Sequence, residues 1–310
     1  MITTNPIRVT SAMVTASSVA YPDTGENVWS SAVNYAAGAT VSYSIDGTFH
    51  RFESKQAGNL NHIPAAYPDD ATNAWWIDLG YVNKLAAFQL ERNTQTITTS
   101  PYTVSVAPAG RVGCIGIGNI EADSVTLKVY NSSAALLYEH TNTLLSRSVY
   151  DWYSWTYAPF QQLKNTLFNN LPLNSGNTFE LTFTKSSGSV KVGAIVPGMP
   201  LDIGRALMGN TGLRMLNFSL FERDEFGEVK ITIRKNIPKV NYQLLIDAPR
   251  FNGVKRMINE LNGVVTMWAG IIEVDHPYFE SVFTIGICKD FGNVIDLPNY
   301  IQADIEIEAL

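Results

Sequence analysis

Five aromatic residues near the start of the chain have the type and spacing for recognition chemistry: Trp29, Tyr35, Tyr43, Trp75 and Trp76. Such rings stack through their faces on the C–H surfaces of a sugar or on an apolar partner, and their polar edges hydrogen-bond. The same rings can also serve as a small hydrophobic core, and their spacing leaves both uses open. Of the closing pair, Trp75 is assigned to the core and Trp76 to the outer face. No other chemistry finds a constellation. His50, His62, His140 and His276 are scattered along the chain, as are Cys114 and Cys288, so they form no metal set. Gly-x-Ser-x-Gly, His-Glu-x-x-His and Cys-x-x-Cys are absent. The 28 acidic residues contain no pair that the sequence selects for glycosidase work. Gly113, Gly116 and Gly118 miss the dinucleotide fingerprint, because Glu121 fills the last place. The expectation is a non-enzyme without cofactor or metal.

The elements that must position the aromatics come next. Between Trp29 and Trp76, Gly38 and Gly47 supply turns with positive φ. Thr40-Val41-Ser42-Tyr43-Ser44 alternates as a strand. The full series is Trp29, Tyr35, Gly38, Val41, Tyr43, Gly47, Phe52, Gly58, Pro64 and Trp75-Trp76. It resembles the small chitin-binding type of carbohydrate-binding module. It departs from that family in having Phe52 where Tyr is usual, and in a longer, more polar stretch over 65–74. The resemblance implies a module over 28–80 whose Trp76, Trp75, Tyr43, Tyr35 and Trp29 contact a glycan or a partner.

The chain as a whole has 310 residues, enough for two or three domains. Apolar residues make up 45% and charged residues 16%, which places it among globular chains rather than disordered ones. Low charge suits broad subunit interfaces. A net charge of −6 without clustered Lys and Arg argues against nucleic acid. The two cysteines lie in apolar runs and read as buried free thiols. No charged and apolar leader opens the chain, and no run approaches the ~20 apolar residues of a membrane span. Synthesis in the host cytoplasm, without membrane insertion, is the expectation.

Residues 1–27 carry two short β-like pieces, 6–10 and 12–15, expected to pack on a later sandwich, the alternative being a free arm that grips a neighbouring subunit. From 85 to 197 nine β-like runs are expected: 85–90, Tyr102–Val106, 111–117, 125–130, 135–139, 152–157, 166–171, 179–184 and 190–196. Short strands at this spacing mean a sandwich, similar to a galactose-binding-like jelly roll over 81–199. The run 152–157 alternates aromatics and is assigned to the sandwich core in preference to a second stacking platform. Residues 198–216 read as a link, followed by a long hairpin with a charged tip at Asp224-Glu225-Phe226-Gly227. A helix follows, capped by Asp247, with Phe251, Val254, Ile258 and Leu261 on its apolar face and Gly263 beyond its end. Strands at 264–268, 281–288 and 303–308, with a turn at 290–293, complete a domain over 200–310.

One helix on a set of strands is similar to the tail-tube type of phage domain. The order of these pieces, with Trp75-Trp76-Ile77-Asp78-Leu79-Gly80, Asp151-Trp152-Tyr153 and the ending 305–310, resembles tailed-phage virion proteins of the tail, baseplate or fibre attachment. That resemblance implies a mainly β protein in the virion, assembled as a homo-oligomeric ring with other tail proteins. Its aromatic module would then face outward, touching host surface glycan or docking another virion protein. The alternative reading is a soluble, non-catalytic carbohydrate-binding protein.

Overall fold

A computed structural model describes residues 1–64, 74–147, 149–223, 225–294 and 299–309. The expected polar stretch at 65–73, the hairpin residue Asp224 and the terminal Leu310 lie outside them. The fold is mainly β, and the chain forms two compact units, Ile7–Gly198 and Met1–Pro6 with Met199–Leu310. Among the described residues no helix is long and apolar enough to cross a membrane.

The first unit is built on two antiparallel sheets. One has the order Leu136–Thr143, Ser124–Tyr130, Thr178–Thr184, Tyr102–Val106 and Val14–Ser17. In the other, Cys114–Glu121 pairs with Thr166–Phe168 and with Ser189–Asp202, and the latter also pairs with Thr96–Thr99. Period-two alternation decides what goes inside. Val125, Leu127 and Val129 of the first sheet share one core with Ile115, Ile117, Val190 and Val192 of the second.

The strand over 85–90 is not formed. Leu85 precedes a 3-10 turn, Ala86–Phe88, and these residues are all buried. The Ala pair lacks the β-branched side chains that favour a pleated surface. The run 152–157 is a second correction. Trp152–Tyr157 is an α-helix, and it lies outside the core. Local hydrogen bonding overrides aromatic β-propensity here. The Asp151 carboxylate accepts from the Ser154 N–H at 2.7 Å, and the Ser154 hydroxyl oxygen accepts from the Asp151 N–H at 2.9 Å. This reciprocal capping box fixes the first turn. Pro159 ends the helix by forcing Ala158 into an extended conformation, with φ −62° and ψ 130°.

In the other unit the sheet runs Ile2–Pro6, Thr266–Ala269, Phe283–Val294, Tyr300–Ala309 and Asn236–Asp247, the last pairing also with Gly212–Asn217 and Arg205–Ala206. The first β piece therefore starts four residues earlier than the pattern suggested and ends at Pro6, which has no N–H to donate. Residues 290–293, expected as a turn, lie inside Phe283–Val294 and pair with Tyr300–Ala309. A bulge between Cys288 and Asp290 absorbs the change of direction. The expected link at 198–216 instead contributes Arg205–Ala206 and Gly212–Asn217 to the sheet.

The helix Phe251–Glu260 buries Phe251, Val254 and Ile258 against Tyr242, Leu244, Trp268 and Ile305. Pro249 lies in a 3-10 turn that leads into it, but the Asp247 side chain makes no cap bond. Cys114 is buried and Cys288 half-buried, both as free thiols. Burial and nearby Asp290 push the Cys288 thiol up to about 11.

Candidate functional site

The aromatic stretch forms a four-stranded sheet in the order Asn27–Val28, Thr40–Ile45, Thr48–Ser54 and Trp76–Tyr81. Gly38 and Gly47 make the turns at φ +79° and +75°. Tyr35, Val41, Phe52 and Trp76 are its buried core, with Trp29, Tyr43 and Trp75 packed at the margin. Tyr35 meets Trp76 edge to face at 5.4 Å, and Trp29 meets Tyr43 likewise at 5.5 Å. The rings thus replace the aliphatic core that so short a segment lacks. Phe49 lies on the other side of the sheet, where Tyr21 stacks on it at 3.9 Å, and Phe49 and Tyr81 pack on the sandwich core.

The assignment within the tryptophan pair is reversed. Trp76 is 1% exposed, and Trp75 is the half-exposed one. Where the chain is extended, successive residues point to opposite faces, so the two rings part: Trp76 opens the strand facing the core, and Trp75, just before it, packs at the margin. Register decides this. Trp76 pairs with Ser54, on the face that carries Phe52, and its Nε1–H donates to the His62 carbonyl at 2.8 Å. Trp75 instead stacks flat on the His62 ring at 3.8 Å. Of the five residues singled out, Tyr35 and Trp76 are held inside, while Trp75, Tyr43 and Trp29 remain partly open to solvent.

A Thr–His–Asp chain, invisible in the sequence, sits beside these rings on the face that carries Phe52. His50 Nε2 lies 3.0 Å from the Thr48 hydroxyl, and Nδ1 lies 3.1 Å from the Asp78 carboxylate. Nucleophile–base–orienter sets look like this, but Thr48 is fully buried and its hydroxyl donates to the Ile45 carbonyl at 2.9 Å. No substrate can reach it, and the chain acts as a clamp between two strands. Burial raises the Asp78 carboxyl. The His50 hydrogen bond, the Gly80 N–H and the charge of Arg92 outweigh burial and hold it below the usual carboxylate range.

The unanticipated surface is the helix Trp152–Tyr157. Tyr150 is 88% and Trp152 84% exposed, and Tyr153, Trp155, Tyr157 and Phe160 are exposed as well. The segment stands between the paired strands Leu145–Ser146 and Gln161–Gln162. The Asp-x-x-Ser cap and the Ala-Pro stop were the signals in the sequence that could have revealed it.

A scan against protein-family models and searches of curated proteins and of solved structures return no match for this chain.

Trp76→Ala is expected to remove about 3–5 kcal/mol from the aromatic module. Trp75→Ala should remove much less; unfolding by denaturant, followed by hydrogen exchange within 27–81, separates the two. Because the folded Asp78 carboxyl is depressed, its contribution is present above the unfolded value of about 3.9 and is lost as pH falls through the folded value. Asp78→Asn should therefore flatten the acid limb of the module's stability curve, and an unchanged limb would count against the clamp.

Proposed function

We propose that this chain is a structural, non-catalytic protein of a phage tail, in the baseplate, tail tip or fibre attachment. It would assemble into a symmetric ring and display the aromatic module at 28–80. In this reading the sandwich at 81–199 is of the galactose-binding-like jelly-roll type, and 200–310 is of the tail-tube type. The virion would be its place of action.

One observation carries the reading. Leu220–Arg223 pairs with Val229–Thr232 in a two-stranded ribbon exposed along both strands. Directly paired residues share a face. One face holds Leu220 with Thr232 and sets Glu222 opposite Lys230, charges of opposite sign. The other holds Phe221 with Ile231 and Arg223 with Val229. Ile233 beyond the strand is 87% exposed, and Phe226 at the turn is 91% exposed. An isolated two-stranded hairpin is marginal in water, and an uncovered apolar face on it favours a covering subunit. A ring of identical copies supplies that cover by symmetry.

A second reading, a soluble carbohydrate-binding protein, draws on Trp75, whose half-exposed ring is braced by His62. Glycan-array titration of the wild type against Trp75→Ala decides it: that reading requires binding that the variant loses.

For the tail reading, light scattering should give a defined oligomer, and Phe221→Ser with Ile231→Ser should lower the mass toward the monomer while leaving the melting curve in place. A wild type that is monomeric at every concentration and missing from purified particles by mass spectrometry refutes it.

A further inference from the structure

The exposed aromatic tip at 149–160 has features that a narrow groove does not explain. On a helix of 3.6 residues per turn, Trp152 and Trp155 share one side, and Tyr153 and Tyr157 share a side about 150° away. The contacts agree: Trp152 meets Trp155 edge to face at 6.0 Å, and Tyr153 meets Tyr157 at 5.0 Å with the rings tilted by 40°. Tyr150 and Phe160 extend the rings beyond both ends of the helix. Rings spread this widely offer no single narrow stripe for a groove, and the crossed and tilted ring pairs offer no flat platform for a sugar chain. The four rings span about 200° of the circumference around Thr156, and Ser154 lies on the remaining side, the division of an amphipathic helix at an interface.

Charge leads the same way. Between 147 and 162 only Arg147 and Asp151 are charged. Asp151 is engaged in the capping box. Arg147 lies over the Phe160 ring at 5.5 Å and donates from Nη2 to the Ser154 carbonyl at 3.1 Å. One charge of each sign leaves the segment neutral overall, without a basic or acidic patch for an ionic partner.

We propose that the tip at 149–160 inserts into the interfacial layer of an electrically neutral lipid bilayer. The composition selects this over a dry protein socket. Five of the six exposed rings are Trp or Tyr, which carry a polar group at one end of an apolar body and concentrate where a membrane meets water. The contact is an anchor in one leaflet and not a span. With no basic patch, anionic lipid adds nothing to it. Bilayer insertion by the tip is independent of ring assembly, and its test requires no phage particle.

The test uses the full chain with phosphatidylcholine vesicles. Flotation should show a bound fraction that rises with lipid, with tryptophan emission shifting to the blue and quenched by brominated acyl chains. Trp152→Ser with Trp155→Ser should weaken partitioning by about tenfold or more, since binding scales with the apolar area inserted. Tyr150→Ser with Tyr153→Ser should weaken it too, and this second pair keeps the test decisive should the first disturb the helix. Tyr278→Ser, an exposed ring in the other unit, should leave binding unchanged. A wild type that stays free of vesicles, as a tip made for a protein socket would, overturns the proposal. So does binding that both double variants retain, or binding that appears only with anionic lipid and vanishes in salt.

Discussion

Burial of alternate side chains between two antiparallel sheets is the constraint on which the first unit depends. Leu127, Leu181 and Val104 from one sheet, and Ile117, Val192 and Ile195 from the other, reach one core because a pleated strand points every second residue the same way. The outward residues of these strands are mostly Thr, Ser, Lys and Glu, and they bind one another across the strands, as Ser124 does Thr184 and Thr126 does Thr141. With that core in place, a segment with too few aliphatic residues for a core of its own can be carried on its margin. The aromatic module is such a segment. It closes over four buried residues, three of them aromatic, and leans on the sandwich through Tyr21, Phe49 and Tyr81.

Two segments reverse this logic. The ribbon Leu220–Thr232 and the helix Trp152–Tyr157 hold apolar side chains in water, although both are locally well hydrogen-bonded. Their chemistries differ. The ribbon gathers Phe221, Ile231 and Val229 on the face it shares with Arg223 and sets Glu222 opposite Lys230 on the other. The helix spreads its rings over about 200° of its circumference in a segment that is neutral overall. Exposed apolar surface of this kind marks candidate contact sites.

Much of the architecture was legible in the sequence. Tyr102–Val106 falls where period-two alternation placed it, and Ser124–Tyr130 and Thr178–Thr184 begin one residue earlier. The face of Phe251, Val254 and Ile258 follows from the helical period, and Gly38 and Gly47 from the backbone conformation that turns require. The aromatic stretch was legible as a unit held together by its rings. Errors arose where a local signal competed with composition. Aromatic content suggested a strand at 152–157, whereas the pairing of Asp151 with Ser154 and the proline at 159 dictated a helix. Asp290-Phe291-Gly292-Asn293 has turn residues, yet a long partner strand holds it extended.

By itself the sequence determined the mainly β class, the period of each strand and the fact that one of Trp75 and Trp76 faces inward. These are properties of the chain over a few residues, set by pleat, turn and cap. Only the tertiary structure decided which tryptophan is inside, because the answer lies in the register of Trp76 against Ser54. It also brought together Thr48, His50 and Asp78, the last of them 28 residues beyond the histidine, and left the rings of Trp152–Tyr157 outside the core. Register and exposure depend on partners distant in the chain, and no local pattern encodes them.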